Sequence, residues 1–155
     1  TKVYIVEKGI VRDSHLIGKG SQDITLNISQ SMGVSIDFAE KLKRNYGRNT
    51  REQDDQIKEI IDLVMSPIFS ETNSFLLNFQ KKYNKNVSKI VMVGGGALLY
   101  GLNEMAQTRL SLPVSFGDPF SKLETPAFLE GILKETGLAF STSIGLALRK
   151  LHEQG

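Results

Sequence analysis

With 155 residues, 40% hydrophobic and 23% charged, the chain has the size and make-up of one globular domain or one lobe of a larger one. A formal charge of +2 is too small to argue for nucleic acid. No apolar run approaches the roughly 18 residues that cross a bilayer, and the opening TKVYIVEKG lacks the basic leader and apolar block of a signal peptide. Cysteine is absent, which fits the cytosol, and histidine occurs only at His15 and His152. Disulfides, thiolate metal sites and histidine-clustered metal catalysis therefore have no material to work with.

Val3, Ile5, Val11 and Leu16 or Ile17 alternate with polar residues around Lys8-Gly9, predicting a β-hairpin turned at Gly9. Gly18 and Gly20 release that hairpin into a helix from Ser21 to Met32, with Ser21 or Asp23 as cap and Gly33 as stop. SIDFAEKLKRNYG restarts a helix capped by Ser35 and ended by Gly47, with Ala39, Leu42 and Tyr46 as its apolar stripe. Residues 47–56 form a polar connection. Ile57, Ile60, Ile61, Val64, Ile68, Phe75, Leu76, Phe79 and Tyr83 then keep the spacing of one buried helical face. Pro67 interrupts the run, which predicts a kink or two abutting helices. KNVSKIVMVGGG reads as an interior parallel strand covered on both faces. Ala97–Leu110 follows as a helix with Leu98, Leu102, Met105 and Ala106 inward, and LPVSFGDPF as a second short strand ended by Pro119. Residues 121–135 are irregular or weakly helical. Thr136 to Leu151 closes the chain as a helix with Leu138, Ile144, Leu148 and Leu151 as apolar positions. The order predicts an α/β fold with a mixed sheet flanked by helices, in a single domain over residues 1–155.

The motif with chemistry in it is Gly94-Gly95-Gly96. A strand that ends in three glycines before a helix puts bare N–H groups and the positive helix end in one place, which suits an anionic ligand. The bland alternative is a tight strand-to-helix turn. A dinucleotide fingerprint would need glycine where Leu99 stands, although Asp118 lies about where a ribose-binding acid belongs. No Lys-Ser/Thr follows the glycines, so the Walker pattern fails as well. Glu40 and Lys43 emerge on one helical face; taken alone they read as a solvated pair that adds a few tenths of a kcal/mol. Pro67, the two histidines and the Phe75/Phe79 stripe read as structure, and Lys81-Lys82 as a solvated helix end.

Four blocks, GSQDITLNISQSMGVSIDFAEKLKRNYG, IVMVGGGALLYGL, DPFSKLETPAFLEGIL and FSTSIGLALRKL, together resemble the actin-like ATPase superfamily. Within it they look most like the PilM family of type IV pilus assembly proteins, relatives of the cell-division protein FtsA. The resemblance implies the second lobe of a two-lobed, ribonuclease-H-like fold with ATP and magnesium between the lobes. Gly94, Gly95 and Gly96 match the adenosine motif, and Glu40 and Lys43 match the helix beside adenine and ribose. Thr1 matches the last residue of a phosphate loop, and Gly20 the first glycine of the turn after the hairpin; Ser21 departs from the second.

The same resemblance places the strand of that phosphate loop, centrally in the sheet, just before Thr1, and puts the catalytic groups on the other lobe. This chain alone is therefore expected to hydrolyse ATP poorly or not at all. The implied partner is the cytoplasmic tail of a bitopic PilN-like pilus protein, at the cytoplasmic side of the inner membrane. The alternatives are a catalytically inactive scaffold that binds a peptide, or an FtsA-like division protein. The latter normally continues into an amphipathic membrane-binding segment, whereas only four residues follow GLALRKL, which leans toward the pilus reading.

Overall fold

A computed structural model of the chain describes residues 1–47, 54–121 and 123–154. Strands β1 (Lys2–Glu7) and β2 (Ile10–Leu16) pair antiparallel. Lys8 and Gly9 between them take positive φ, 52° and 77°, the geometry whose twist matches a two-residue hairpin. A register shift between Ile5 and Val6 marks a bulge. Of the two apolar options at the end of β2, Ile17 is the buried one and Leu16 lies in solvent.

Helix α1 (Ser21–Met32) stops at Gly33, whose φ of 64° provides the left-handed turn. Helix α2 (Ile36–Asn45) begins where Ser35 Oγ accepts the Phe38 N–H at 3.3 Å. Most of the polar connection after it, residues 48–53, lies outside the described residues. Helix α3 (Asp54–Tyr83) is one continuous helix of 30 residues through Pro67, so two abutting helices are excluded. Proline withholds a donor from the Leu63 carbonyl, and Pro67 and Leu63 are both exposed; the lost bond falls on the solvent side, where the helix tolerates it. The buried face of α3 carries Ile57, Ile60, Ile61, Val64, Ile68, Leu76 and Phe79. Phe75 is half-buried and Tyr83 is exposed.

Strand β3 is short, Ile90–Met92, and pairs in parallel with β4 (Val114–Phe116). The predicted full coverage of β3 is corrected, because Val91 and Val93 are 48% and 57% exposed. The antiparallel and parallel pairings occur as read, in two separate two-stranded sheets. Among the described residues no strand joins them.

The stretch after the glycines also differs from expectation. Gly95–Leu98 forms a 3-10 turn, Gly101 takes φ 72°, and only then does α4 (Leu102–Arg109) begin. That break turns Leu98 outward and buries Ala97 in its place. A 3-10 turn at 127–129 leads into α5 (Glu130–Thr136). A further 3-10 turn, Gly137–Phe140, precedes α6 (Ser141–Gln154). Leu138 is buried as expected and Leu151 is exposed.

The principal core joins Ile24 and Ile28 of α1, Ala39 and Leu42 of α2, the α3 face, and Leu102, Ala106 and Leu110 around α4. A smaller cluster joins Ile5 of β1 to Leu76 and Phe79, with Ile90 of β3 packed against both clusters. His15 serves the same end: its ring stacks on Phe75 at 5.3 Å and its Nε2 lies 2.6 Å from Glu71 Oε1, tying β2 to α3. Ile61 is 1% exposed at the centre of the main core, so Ile61→Ala is expected to lower unfolding free energy by about 2–5 kcal/mol, read from urea denaturation by circular dichroism.

Candidate functional site

The candidate site is built where the hairpin enters α1. The Asp23 carboxylate accepts the Gly20 N–H at 2.8 Å, fixing the first turn of α1. Thr1 lies alongside: Ile17 N–H donates to the Thr1 carbonyl at 2.8 Å, and the Thr1 nitrogen donates to the Ile17 carbonyl at 2.8 Å. A methyl group added at Gly20 would rest 3.7 Å from Thr1 Oγ1. Gly20 has a φ of −173°, which any residue can adopt. Ordinary contact and ordinary backbone together leave the glycine unexplained by the protein's own packing.

Helix α2 lays its polar pair against that turn. Lys43 is only 8% exposed. Its Nζ donates to Thr25 Oγ1 at 2.7 Å, Ser21 Oγ at 2.9 Å and the Ser21 carbonyl at 3.1 Å, and lies 2.7 Å from Glu40 Oε2. Thr25 Oγ1 donates in turn to Glu40 Oε2 at 2.6 Å, and Arg44 Nε reaches Glu40 Oε1 at 2.8 Å. The solvated-pair reading of Glu40 and Lys43 is thus corrected: the pair is turned inward and bridges two helices. Partial burial pushes the Glu40 carboxyl up, but the hydrogen bonds from Lys43, Thr25 and Arg44 outweigh it and hold the pKa at about 2.

The glycine turn approaches from the other side. A methyl group at Gly96 would sit 3.6 Å from Ser21 Cβ, and one at Gly95 would lie 4.0 Å from Ala139 Cβ. Gly94 differs from its neighbours. Its φ is 93° and its N–H donates to the Leu138 carbonyl at 2.8 Å, so backbone geometry alone requires glycine there. Gly95 and Gly96 are exposed, stand outside the left-handed region, and have room for a side chain. Beyond the turn, Tyr100 lies edge-on to Tyr46, ring centroids 5.9 Å apart, and covers Gly47 so closely that a methyl there would overlap its ring. Gly47, with φ 72°, is therefore required both by its backbone and by Tyr100.

Thr1, Gly20, Gly96, Lys43 and Glu40 are thus gathered around Ser21, with Gly94 and Gly95 on the same turn. The place is an open surface. Two open recesses lie elsewhere, one of about 420 Å³ beside Leu110 and Pro113 and one of about 590 Å³ beside Leu63 and Pro67. Asp118, weighed as a ribose acid, caps the turn after β4 by accepting the Phe120 N–H at 3.1 Å. Thr25, 3% exposed, went unread in the sequence although it ties the network together. Its only sequence signal is a hydroxyl on the buried side of α1, four residues after Ser21.

A hairpin, two helices, a long packing helix and a β-turn-α-β unit with a glycine turn at the head of α1 make up one lobe of the actin-like ATPase fold. The family of cell division protein FtsA matches residues 1–145, and the chain belongs to it. Cell division protein FtsA of Staphylococcus epidermidis is 29% identical over 140 residues, covering 77% of this chain and 30% of that protein, in strain RP62A and equally in ATCC 12228. Among solved structures, a chain of the PilM-PilN type IV pilus biogenesis complex superposes with a TM-score of 0.82, at 23% identity, over 96% of this chain and 42% of its own. Ethanolamine utilization protein EutJ from Carboxydothermus hydrogenoformans superposes with a TM-score of 0.54, at 19% identity, over 74% of this chain and 39% of its own. The chain therefore spans about a third to two fifths of the relatives it matches. Among the described residues no helix is long and apolar enough to cross a membrane.

The Glu40 network carries a pH prediction. Glu40 titrates near 4.5 when unfolded and near 2 when folded, so its stabilisation is complete above about 4.5 and is lost as pH falls toward 2. After a discount for solvent screening, about 1–2 kcal/mol of unfolding free energy should disappear across that window. Glu40→Gln should flatten that part of the pH–stability curve, measured by urea denaturation.

Proposed function

We propose that this chain is the nucleotide-binding lobe of an actin-like ATPase, holding the nucleoside and phosphates of ATP between its glycine turn and the start of α1. The observation that carries this reading is the pair Gly95 and Gly96. Neither backbone nor packing demands glycine at those exposed positions, so an outside group pressed against bare main chain accounts for them best. The 3-10 turn lies against Ser21 at the start of α1, and helix starts carry main-chain donors suited to phosphate or ribose oxygens; those of Gly20, Asp23, Gly94 and Ala97 are already bonded within the protein.

In this reading Thr1 and Gly20 border the phosphates. Gly94, Gly95 and Gly96 border the nucleoside, while Glu40 and Lys43 shape the adjacent wall. Bound ATP supplies the transferable phosphoryl group. The residues here bind and orient it without moving a proton. Magnesium would be carried by the phosphates, because Asp23 and Glu40 are committed to Gly20, Lys43, Thr25 and Arg44.

We place the whole protein in type IV pilus assembly, in the cytoplasm at the inner membrane, with the cytoplasmic tail of a PilN-like bitopic protein as partner. The superposition over 96% of the chain on a partner in a PilM-PilN complex supports this. A role in cell division is the second reading, favoured by the family match over residues 1–145 and the staphylococcal relative. Binding of a synthetic PilN-like tail peptide to the full-length protein separates the two; no binding with or without ATP leaves the division role.

Gly95→Val tests the site. It should weaken ATP–magnesium binding at least tenfold by calorimetry while shifting the melting temperature by no more than about 2 °C. Equal losses of binding and stability would reduce the glycines to packing.

A further inference from the structure

The nucleotide reading assigns Lys43 to the wall of the site, yet its ammonium has nothing left to offer a ligand. An ammonium has three protons, and four acceptors lie within 3.1 Å: the Ser21 carbonyl, Ser21 Oγ, Thr25 Oγ1 and Glu40 Oε2. Glu40 is arranged differently. A carboxylate offers about four lone-pair sites, and three donors reach it: Lys43 and Thr25 at Oε2, Arg44 at Oε1. Among the described residues nothing fills the remaining position on Oε1, on a side chain that is 32% exposed. The hydroxyl of Thr25 is the joint of this arrangement, since it receives a proton from Lys43 and gives its own to Glu40. It sits on α1, about one turn after Ser21 at the start of that helix.

We propose that Thr25 is a positioning residue of the nucleotide site, acting through Lys43 and Glu40. Lys43 is an internal cation that clamps α2 to α1, and Thr25 sets the direction in which Glu40 presents its open oxygen to a ligand hydroxyl. Ser21, standing where the resemblance has a second glycine, completes the clamp by accepting from Lys43 through both its hydroxyl and its carbonyl. This inference rests on the ATP reading of the glycine turn.

The charged groups facing Glu40 are Lys43 and Arg44 of its own helix, while α1 contributes uncharged hydroxyls. Losing the Thr25 donor therefore weakens the hold on the ionised carboxylate without introducing a charge. With its pKa held at about 2, Glu40 stays ionised between pH 5 and 8, so the effect on binding is the same across that range.

The test compares Thr25→Val, Thr25→Ser and Gly95→Val in the full-length protein, with ATP and magnesium titrated by calorimetry between pH 5 and 8. Thr25→Val should bind about three- to tenfold more weakly, the worth of one hydrogen bond, by the same factor at pH 5 as at pH 8. Thr25→Ser should restore affinity to within about twofold, a hydroxyl being all the role requires. A Thr25→Val protein that binds ATP like wild type, or a loss that serine does not rescue, overturns the proposal even while Gly95→Val abolishes binding. If wild type takes up no ATP, the nucleotide reading and this inference fall together.

Discussion

The buried ammonium of Lys43 is the constraint around which the site is organised. An unpaired charge in such a position would cost several kcal/mol; Glu40 of the same helix supplies the counter-charge, and the remaining acceptors come from α1: two groups of Ser21 and the hydroxyl of Thr25. The two helices must therefore keep one separation and one rotation about each other. Beneath the polar layer, Ile24 and Ile28 of α1 meet Ala39 and Leu42 of α2 in the main core. The apolar contact supplies most of the free energy, and the polar layer selects the register in which it is made. Gly96 then lies against Ser21, so the glycine turn inherits its position from the same pair of helices.

The strands play a smaller part in holding the lobe together than an α/β fold leads one to expect. The two sheets have two strands each and share no ladder, and a lone two-stranded sheet is marginal in water. What connects them is α3, about 45 Å long at 30 residues. Ile5 of the hairpin packs on Leu76 and Phe79 near one end, and the helix carries the principal core near the other. Arg109 pins α4 to the same helix through Asp62, and Asn73 of α3 donates to the Arg109 carbonyl at 2.9 Å. Exposed Val91 and Val93 follow from this design, since β3 is buried only where Ile90 and Met92 face α3 and its neighbours.

How much of this was legible in the residues depended on whether the deciding contact was local. Gly33, Ser35 and the Lys8-Gly9 turn act on their own neighbours, and each marked its boundary correctly. The helix drawn through Ala97–Leu110 was wrong at its start because the left-handed Gly101 breaks it, and a glycine inside an apolar run reads equally well as a tolerated interruption. The Glu40–Lys43 spacing was visible, but nothing local distinguishes an i,i+3 pair in solvent from one driven under a neighbouring helix. That distinction lay with Ser21 and Thr25, up to 22 residues away in sequence. The full coverage assumed for β3 failed for the same reason: an apolar run reports what a strand can bury, while burial depends on which other elements reach it.

The three consecutive glycines show how unlike causes can sit side by side. Gly94 is explained from inside, by a φ of 93° and a hydrogen bond to Leu138. Gly47 likewise belongs to the packing, pressed under Tyr100. Neither says anything about a ligand, because the protein would need glycine there even if it bound nothing. Gly95 and Gly96 have no such internal reason, and that is what gives them weight. Each could take a Cβ without strain or overlap and is exposed beside the start of α1, so in the nucleotide-binding reading the bare backbone answers to the proposed ligand. In the same reading the inward-turned Lys43, bonded to Ser21, Thr25 and Glu40, would support the wall of the proposed site rather than reach the ligand itself.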